Sequence, residues 1–222
     1  MKINPKSQDP IILRGQEVEE VDKFVYLGAT ITPEGGGMGD MRNRINRARN
    51  IFTKLGKIWK NNYITKNTKT RLFKTLVLPV LLYGCETWKM NKGDNKQVDI
   101  FQNKCLRKIL RIKWEDHIKN EEIFERTGIK PVSQEICKRR WKFTGPILRK
   151  DQGNDANVAL SWAPEGKRKR GRPKTTWRRT VESERKALGY KTWAETRIAA
   201  SNKDKWRCSV EAICATRHEE DR

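Results

Sequence analysis

The absences in this sequence narrow its chemistry first. No apolar run approaches the roughly 18 residues of a membrane span, and Met1-Lys2-Ile3-Asn4-Pro5 has none of the apolar stretch of a secretory leader. An intracellular chain with no membrane partner is expected, in nucleus or cytoplasm. No CxxC pair occurs among the five cysteines, Cys85, Cys105, Cys137, Cys208 and Cys214. An odd, unrhythmic set of this kind fits reduced thiols rather than a disulfide framework. There is no Asp-Asp pair and no converging set of carboxylates or Ser/His/Asp residues. Gly35-Gly36-Gly37 also lacks the following Lys-Ser/Thr of a phosphate loop. Catalytic residues, a metal and a cofactor are therefore not expected. Finally, no Asp or Glu appears anywhere from Met41 to Cys85.

What is present is positive charge. The 222 residues carry 49 Lys+Arg against 27 Asp+Glu, a formal net charge of +22. Such a surplus costs self-repulsion in the compact state, and a polyanion is its usual counterpart. Nucleic acid is the leading partner. With 36% hydrophobic and 34% charged residues, folded segments joined by polar linkers are expected, in one or two domains. Cys208 and Cys214 with His218 could be taken for zinc ligands, but the two thiols sit six apart with no second pair. Two thiols packed on a terminal helix is the favoured reading.

The stretch from Ile11 to Thr32 is rich in β-branched and aromatic residues around a glycine turn and reads as two or three short strands. Phe24 and Tyr26 alternate with Val25 and Leu27, and both sets are apolar, so a strand covered on both faces, or lying against a missing neighbour, is implied. From Asp40, read as an N-cap, Ile45, Ala48, Phe52, Leu55 and Trp59 recur at steps of three and four, one apolar stripe of a helix. The rest of that helix is basic, through Arg42, Arg44, Arg47, Arg49, Lys54, Lys57 and Lys60. Like charges at this spacing oppose helix formation, which suggests an absent anion. A second helix is expected from about Asn67 to Tyr83, with Leu72, Phe73, Leu76, Val77, Val80 and Leu81 inward and a kink at Pro79. Its bases are Lys66, Lys69, Arg71 and Lys74.

Asp94 can cap a third helix carrying Val98, Phe101, Cys105, Ile109 and Ile112. A short helix from Asn120 to Thr127 stops at Gly128, and another begins near Ser133 and includes Ile136, Trp141, Ile147 and Leu148. Asp151 to Pro164 is polar and breaker-rich, Lys167 to Arg179 holds only basic charges, and both read as linker. Thr175 to Arg217 reads as two or three helices packed through Trp177, Val181, Leu188, Trp193, Trp206, Val210 and Ile213. Among the eight tryptophans, Trp59, Trp141, Trp177 and Trp206 fall on apolar stripes, whereas Trp88 and Trp162 lie near breakers and are the candidates for stacking on unpaired bases.

Lys167-Arg168-Lys169-Arg170-Gly171-Arg172-Pro173-Lys174 is the sharpest local signal. Arginines flanking a glycine can lie along a narrow A·T-rich minor groove, as in the core of an AT-hook. Plain phosphate attraction, a nuclear localisation signal or a solvated linker are the alternatives.

Phe24-Val25-Tyr26-Leu27-Gly28, the basic helix after it, and Val77-Leu78-Pro79-Val80-Leu81-Leu82-Tyr83-Gly84-Cys85-Glu86-Thr87-Trp88 together resemble the reverse transcriptases of non-LTR retrotransposons. The resemblance continues through Arg140-Trp141, Arg170-Gly171-Arg172-Pro173 with Trp177, Trp193, Trp206 and Cys214-Ala215-Thr216-Arg217-His218, and covers nearly the whole chain. It implies that Ile3-Asn4-Pro5-Lys6 is the segment just after the family's catalytic centre. It also implies that Tyr26, Leu27 and Gly28 form a primer-gripping hairpin and that the helices from Asp40 to about Arg111 form a thumb. The family's metal-holding aspartates have no counterpart here, and Pro146 stands where related sequences often carry His. Polymerase activity is therefore not expected of this chain alone.

The fold expected is mostly α, with a small N-terminal β-hairpin as palm remnant (residues 1–39) and a thumb-like helical bundle (40–149). A basic linker (150–174) and a C-terminal helical module (175–222) follow. The function expected is that of a truncated, catalytically incomplete reverse-transcriptase C-terminal region. It would bind RNA, DNA or their hybrid through Arg42, Arg44, Arg47, Arg49, Lys54, Lys57, Lys66, Lys69, Arg71 and the Lys167, Arg168, Lys169, Arg170, Arg172 and Lys174 segment. Nuclear residence is favoured, and the alternatives are a stand-alone AT-hook-like DNA-binding protein and the tail of an active RNA-directed DNA polymerase split by a gene-model break.

Overall fold

The computed structural model describes residues 9–31, 38–162 and 175–216. It is mostly helical, with two small hairpins at the N-terminal end. Strands β1 (Ile12–Leu13) and β2 (Gln16–Glu17) pair antiparallel, as do β3 (Phe24–Tyr26) and β4 (Ala29–Ile31). Each hairpin turns on two residues with positive φ, Arg14-Gly15 and Leu27-Gly28, the geometry that matches the twist of a tight two-residue loop. The apolar alternation of Phe24 to Leu27 is not covered on both faces. Phe24, Val25, Tyr26 and Leu27 are all exposed.

Helix α1 (Met38–Lys54) buries Met41, Ile45, Ala48 and Phe52 on one stripe. Asp40 is inside its first turn rather than its N-cap, and its carboxylate accepts a 2.9 Å bond from Trp88 Nε1. After α2 (Gly56–Lys60), Trp59 stacks on Phe52 with ring centroids 5.0 Å apart, and Phe73 meets Phe52 edge-on at 6.2 Å. The expected second helix is built in three pieces. Helix α3 (Lys66–Leu72) is N-capped by Thr65, a π-turn follows at Phe73–Val77, and α4 (Leu78–Leu81) has Pro79 in its first turn. Pro79 lacks the N–H for a helical bond to Thr75 and its ring would meet that carbonyl. The widened turn, in which Leu78 N bonds Phe73 O, takes the chain past it. It also shifts the helical phase, so that Val77 and Leu81 are buried while Leu76 is exposed.

Helix α5 (Lys92–Leu110) is capped by Asn91, with Asp94 as the reciprocal third residue of a capping box rather than the cap itself. Val98, Phe101, Cys105 and Ile109 are buried, as its periodicity implies. Helix α6 (Asn120–Thr127) stops at Gly128 with φ +58, and α7 (Val132–Leu148) follows. Its start is tied to α5, since Gln102 accepts from Val132 N and donates to Lys130 O, while Asp99 accepts from Ser133 N and Oγ.

The stretch read as linker contains a helix, α8 (Asp155–Ser161), because Asn154 caps it and the buried Asn157 donates to the carbonyls of Lys150 and Asp151. Lys167 to Lys174 lies outside the described residues. Beyond it come α9 (Trp177–Ala187), α10 (Trp193–Ser201) and α11 (Lys203–Thr216). One core runs from Met41 to Ile136, and a second gathers Cys137, Trp141 and Leu148 of α7 with Val181, Ala200, Trp206 and Val210. Gly145 lets Trp206 lie against α7, since a Cβ there would stand 2.3 Å from the indole nitrogen. Among the described residues no helix is long and apolar enough to cross a membrane.

The two cores are joined by buried polar contacts. Arg140 pairs with Glu184 and donates to Trp88 O at 2.9 Å, while Trp141 Nε1 donates to the other oxygen of Glu184 at 3.0 Å. Thr180 Oγ1 exchanges 3.1 Å bonds with the backbone of Met90, and Trp177 Nε1 donates to Glu86 O. Trp88 is thus buried at 1% exposure, contrary to the surface position expected for it. Nearby breakers bend the chain but do not bring a side chain into solvent. Trp162, by contrast, is 65% exposed.

Because Arg140 and Glu184 are both about 1% exposed, removing either leaves an uncompensated buried charge. Glu184→Leu is expected to cost about 3–5 kcal/mol, and Arg140→Met/Glu184→Leu less than the sum of the two single changes. Denaturant unfolding of the four proteins measures this, and strict additivity would show that the pair does not act as a unit.

Candidate nucleic-acid interface

The acid-free block divides into cations that face solvent and cations that hold the fold. Arg42, Arg47, Arg49, Lys54, Lys57, Lys66 and Arg71 are exposed. Arg44 is 6% exposed. It donates to Gly28 O at 2.7 Å, lies 4.4 Å from the centre of the Tyr83 ring and sits 3.9 Å from Asp40. Tyr83 Oη donates to Leu27 O at 2.9 Å. The Leu27-Gly28 tip is therefore gripped from the helical body by two side chains, and a Cβ on Gly28 would come within 3.1 Å of the Arg44 guanidinium. Tyr26 and Leu27 themselves project outward, 58% and 74% exposed.

Lys69 is the second inward cation. Its Nζ donates to Trp59 O at 2.9 Å and Asn61 O at 2.6 Å, fastening α3 to the end of α2. Burial, then the nearby charge of Arg111, lowers its pKa below the usual lysine value. Helical phase separates both from their exposed neighbours, since Arg44 stands four residues before Ala48 and Lys69 four before Phe73, on the apolar stripes, whereas the carbonyls they bond are brought in only by folding.

The exposed cations of α1 form two rows. At about 100° per residue, seven-residue spacing places Arg42 above Arg49 and Arg47 above Lys54, the rows lying about 140° apart on either side of the buried stripe. The first row faces α5. Between the two helices runs a groove of about 690 Å³ with Ile45, Phe52 and Phe101 in its floor and Arg42, Arg49, Lys104 and Lys108 along it, and its lining contains no carboxylate. Lys104 and Lys108 were not among the binding residues expected from the sequence. Their signal was legible, since Lys92, Lys96, Lys104 and Lys108 recur at multiples of four along α5 and all are exposed.

The remaining candidates fall elsewhere. Lys66 and Arg71 lie on α3, away from that groove lining. Lys167, Arg168, Lys169, Arg170, Arg172 and Lys174 lie outside the described residues. Cys208 is exposed rather than packed, and His218 and the side chain of Cys214 lie outside what is described. Burial pushes the thiols of Cys85 and Cys105 up to about 12, so neither is a thiolate near neutral pH.

Comparison with known proteins adds one relative. No family model matches the chain, and no solved structure matches it. A transposon-derived protein of Caenorhabditis elegans, itself uncharacterized, is 25% identical over 173 residues, which is 76% of this chain and 62% of that protein. The likeness supports a transposon origin. This chain spans less than two thirds of that relative's length.

Lys69 provides a test of the division between structural and exposed cations. Its folded pKa is lowered, so between that value and the unfolded value of about 10.4 the unfolded chain binds the extra proton and stability rises with pH. Below the window the penalty for the buried charge is fully present. Lys69→Met strands two carbonyls and is expected to destabilise by about 1–3 kcal/mol. The deficit should widen as pH rises through the window, because the wild type alone gains there. Unfolding curves of both proteins across alkaline pH check it, and parallel pH dependences would refute the buried-amine assignment.

Proposed function

We propose that this chain is the post-catalytic region of a reverse transcriptase of the non-LTR retrotransposon type, and that it holds a template–primer duplex by its sugar-phosphate backbone. The groove between α1 and α5 carries the reading. Arg42 and Arg49 approach it from one helix and Lys104 and Lys108 from the other, and no carboxylate lines it to compete for the cations. Four exposed cations along an open groove suit phosphate oxygens, and backbone contacts of this sort position a duplex without reading its sequence. The gripped Leu27-Gly28 tip, fixed to α1 through Arg44, would set a hairpin beside the duplex. Arg44 and Lys69 are assigned to the fold in this reading, and the phosphate contacts to the exposed cations. The transposon-derived relative is consistent with such an origin.

The test is binding of the purified chain to RNA–DNA hybrid, mixed-sequence duplex DNA and A·T-rich duplex DNA across a salt series. Arg42→Glu/Arg49→Glu is expected to weaken hybrid binding and to flatten the log–log salt slope by about 1.8, at about 0.9 for each phosphate no longer neutralised. An unchanged slope would remove the α1–α5 groove from the interface. A preference for A·T-rich duplex that disappears in Arg172→Ala would instead favour the AT-hook-like segment and a DNA-binding role.

A further inference from the structure

We propose a second nucleic-acid site, for a single-stranded segment, in the cleft between α5 and α9. This cleft has a volume of about 1110 Å³. Lys92 and Lys96 enter it from α5, Lys186 from α9, and Asn95 and Asn103 lie in its α5 wall beside Ile100 and Phe124. The proposal goes beyond the duplex reading above and does not depend on it.

Three observations carry it. The first is charge. Lys92, Lys96 and Lys186 are exposed, while two of the three carboxylates in the lining are already engaged, Asp99 with Ser133 and Glu184 with Arg140 and Trp141. Glu121, in the first turn of α6, is the third. Arg179 is the fourth cation of the lining, and with Glu184 neutralised by Arg140 four cations stand against the charges of Asp99 and Glu121, so the balance of the cleft is cationic.

The second is hydrogen-bonding chemistry. Asn103 lines the cleft and its Oδ1 is buried with no hydrogen-bond partner among the described residues. A buried acceptor left unpaired costs stability, and a rotation of the half-buried Asn103 side chain toward the cleft would let the imino group of an unpaired base satisfy it. Carboxamides pair with base edges, which only an unpaired strand presents freely. Ile100, 41% exposed, and the half-buried Phe124 offer the apolar surface against which a base plane can rest.

The third is continuity. Lys92, Lys96, Ile100, Lys104 and Lys108 are exposed at every fourth position of α5. Four residues advance about 400°, so each step drifts about 40° and the series turns about 160° around the helix over about 24 Å. The lysine row accordingly starts in the α5–α9 cleft, passes Ile100, which lines both depressions, and ends in the α1–α5 groove. A polyanion can follow it from one to the other without meeting an acidic side chain on that row. Two closed-off phosphate sites would not need such a spiral.

The experiment uses the full chain with oligothymidylate and oligouridylate of about 12 nucleotides, an abasic strand of the same length and a blunt duplex. Lysine acetylation footprinting of the wild type is expected to show Lys92, Lys96 and Lys186 protected by either single strand and not by the blunt duplex. Lys92→Glu/Lys96→Glu is expected to lower single-strand affinity at least about tenfold and to flatten its salt slope by about 1.4, at about 0.7 per phosphate, with duplex affinity kept within about twofold. Asn103→Ala should weaken binding of the base-bearing strands and leave the abasic strand unaffected. Unprotected lysines, an unchanged single-strand affinity, or a weakening shared equally by single strand and duplex would overturn the site. Failure of the duplex reading would appear separately, in the Arg42→Glu/Arg49→Glu protein with hybrid.

Discussion

The Arg140–Glu184 pair is the contact on which the arrangement of the rest depends. Arg140 leaves α7 into a space with no solvent, and its guanidinium needs a carboxylate and a carbonyl to be there at all. Glu184 of α9 supplies the first and Trp88 the second. The same Trp88 turns its indole N–H onto Asp40 of α1, and Asp40 lies beside Arg44, which holds Gly28. Polar contacts thus run through the interior from the C-terminal helices to the tip of the N-terminal hairpin. Apart from Asp40 and Arg44, neighbours one turn apart on α1, each link joins elements far apart in sequence. The helices could pack on apolar area alone in several rotations, whereas this series has few ways of being satisfied. Burial of polar groups with fixed partners is one means by which a chain selects a single arrangement.

The same series explains what was legible in the sequence. The apolar stripes of α1 and α5, the stop at Gly128 and the turn at Gly15 are local matters of period and backbone geometry, and they are found where residue spacing puts them. Asp40, Arg44, Lys69, Trp88 and Arg140 are not local. Arg44 stands four residues before Ala48, on the apolar stripe of α1, but only the arrival of Tyr83 and Gly28 supplies the partners that make it a structural residue. Likewise Asn154 and Asn157 look like linker residues until one caps α8 and the other folds back on Lys150 and Asp151. At Pro79 the sequence indicates a disturbance but not its form. A π-turn, rather than a bend, moves Leu76 outward and keeps Val77 and Leu81 in the core. Within the interface, the α1 row of Arg42 and Arg49 was legible as charge. Its partner row on α5 needed the approach of the two helices to become one groove.

The distribution of acids sharpens the picture of the charge. In the C-terminal helices carboxylates sit with cations: Glu182 with Arg185, Glu211 with Lys138, Glu184 with Arg140. The Glu182 and Glu211 carboxyls are held below the ordinary glutamate value, first by those hydrogen-bonded cations. Along α1 to α4 there is no acid after Asp40, and Asp40 is buried against Trp88 and Arg44. Eleven cations, equal to half of the +22 surplus, therefore fall in this acid-free stretch, where Arg44, Lys69 and Lys74 bond backbone carbonyls and Arg42, Arg47, Lys54, Lys57, Lys66 and Arg71 face solvent. Exposed lysines repeated at i,i+4 spacing weaken a helix in isolation by a few tenths of a kcal/mol per pair. α5 tolerates them because its buried face, from Val98 to Ile109, and its capping box supply the stability that its surface gives up.

The hairpin β3–β4 is stabilised in a different way. An isolated two-stranded hairpin is a marginal unit in water, β3 here is exposed on both faces, and Leu27 adopts a left-handed conformation that a non-glycine residue resists. What stabilises the tip is its pair of carbonyls, one bonded by Tyr83 and the other by Arg44. Both donors come from the helical body, and both are aimed at backbone rather than side chain, so the grip fixes the path of the turn while leaving Tyr26 and Leu27 outward. A hydrophobic anchor would have drawn those side chains in. Gripping by main chain keeps the outward residues beside the cationic surface of α1, at a position set by the same Arg44 that the interior series of contacts holds in place.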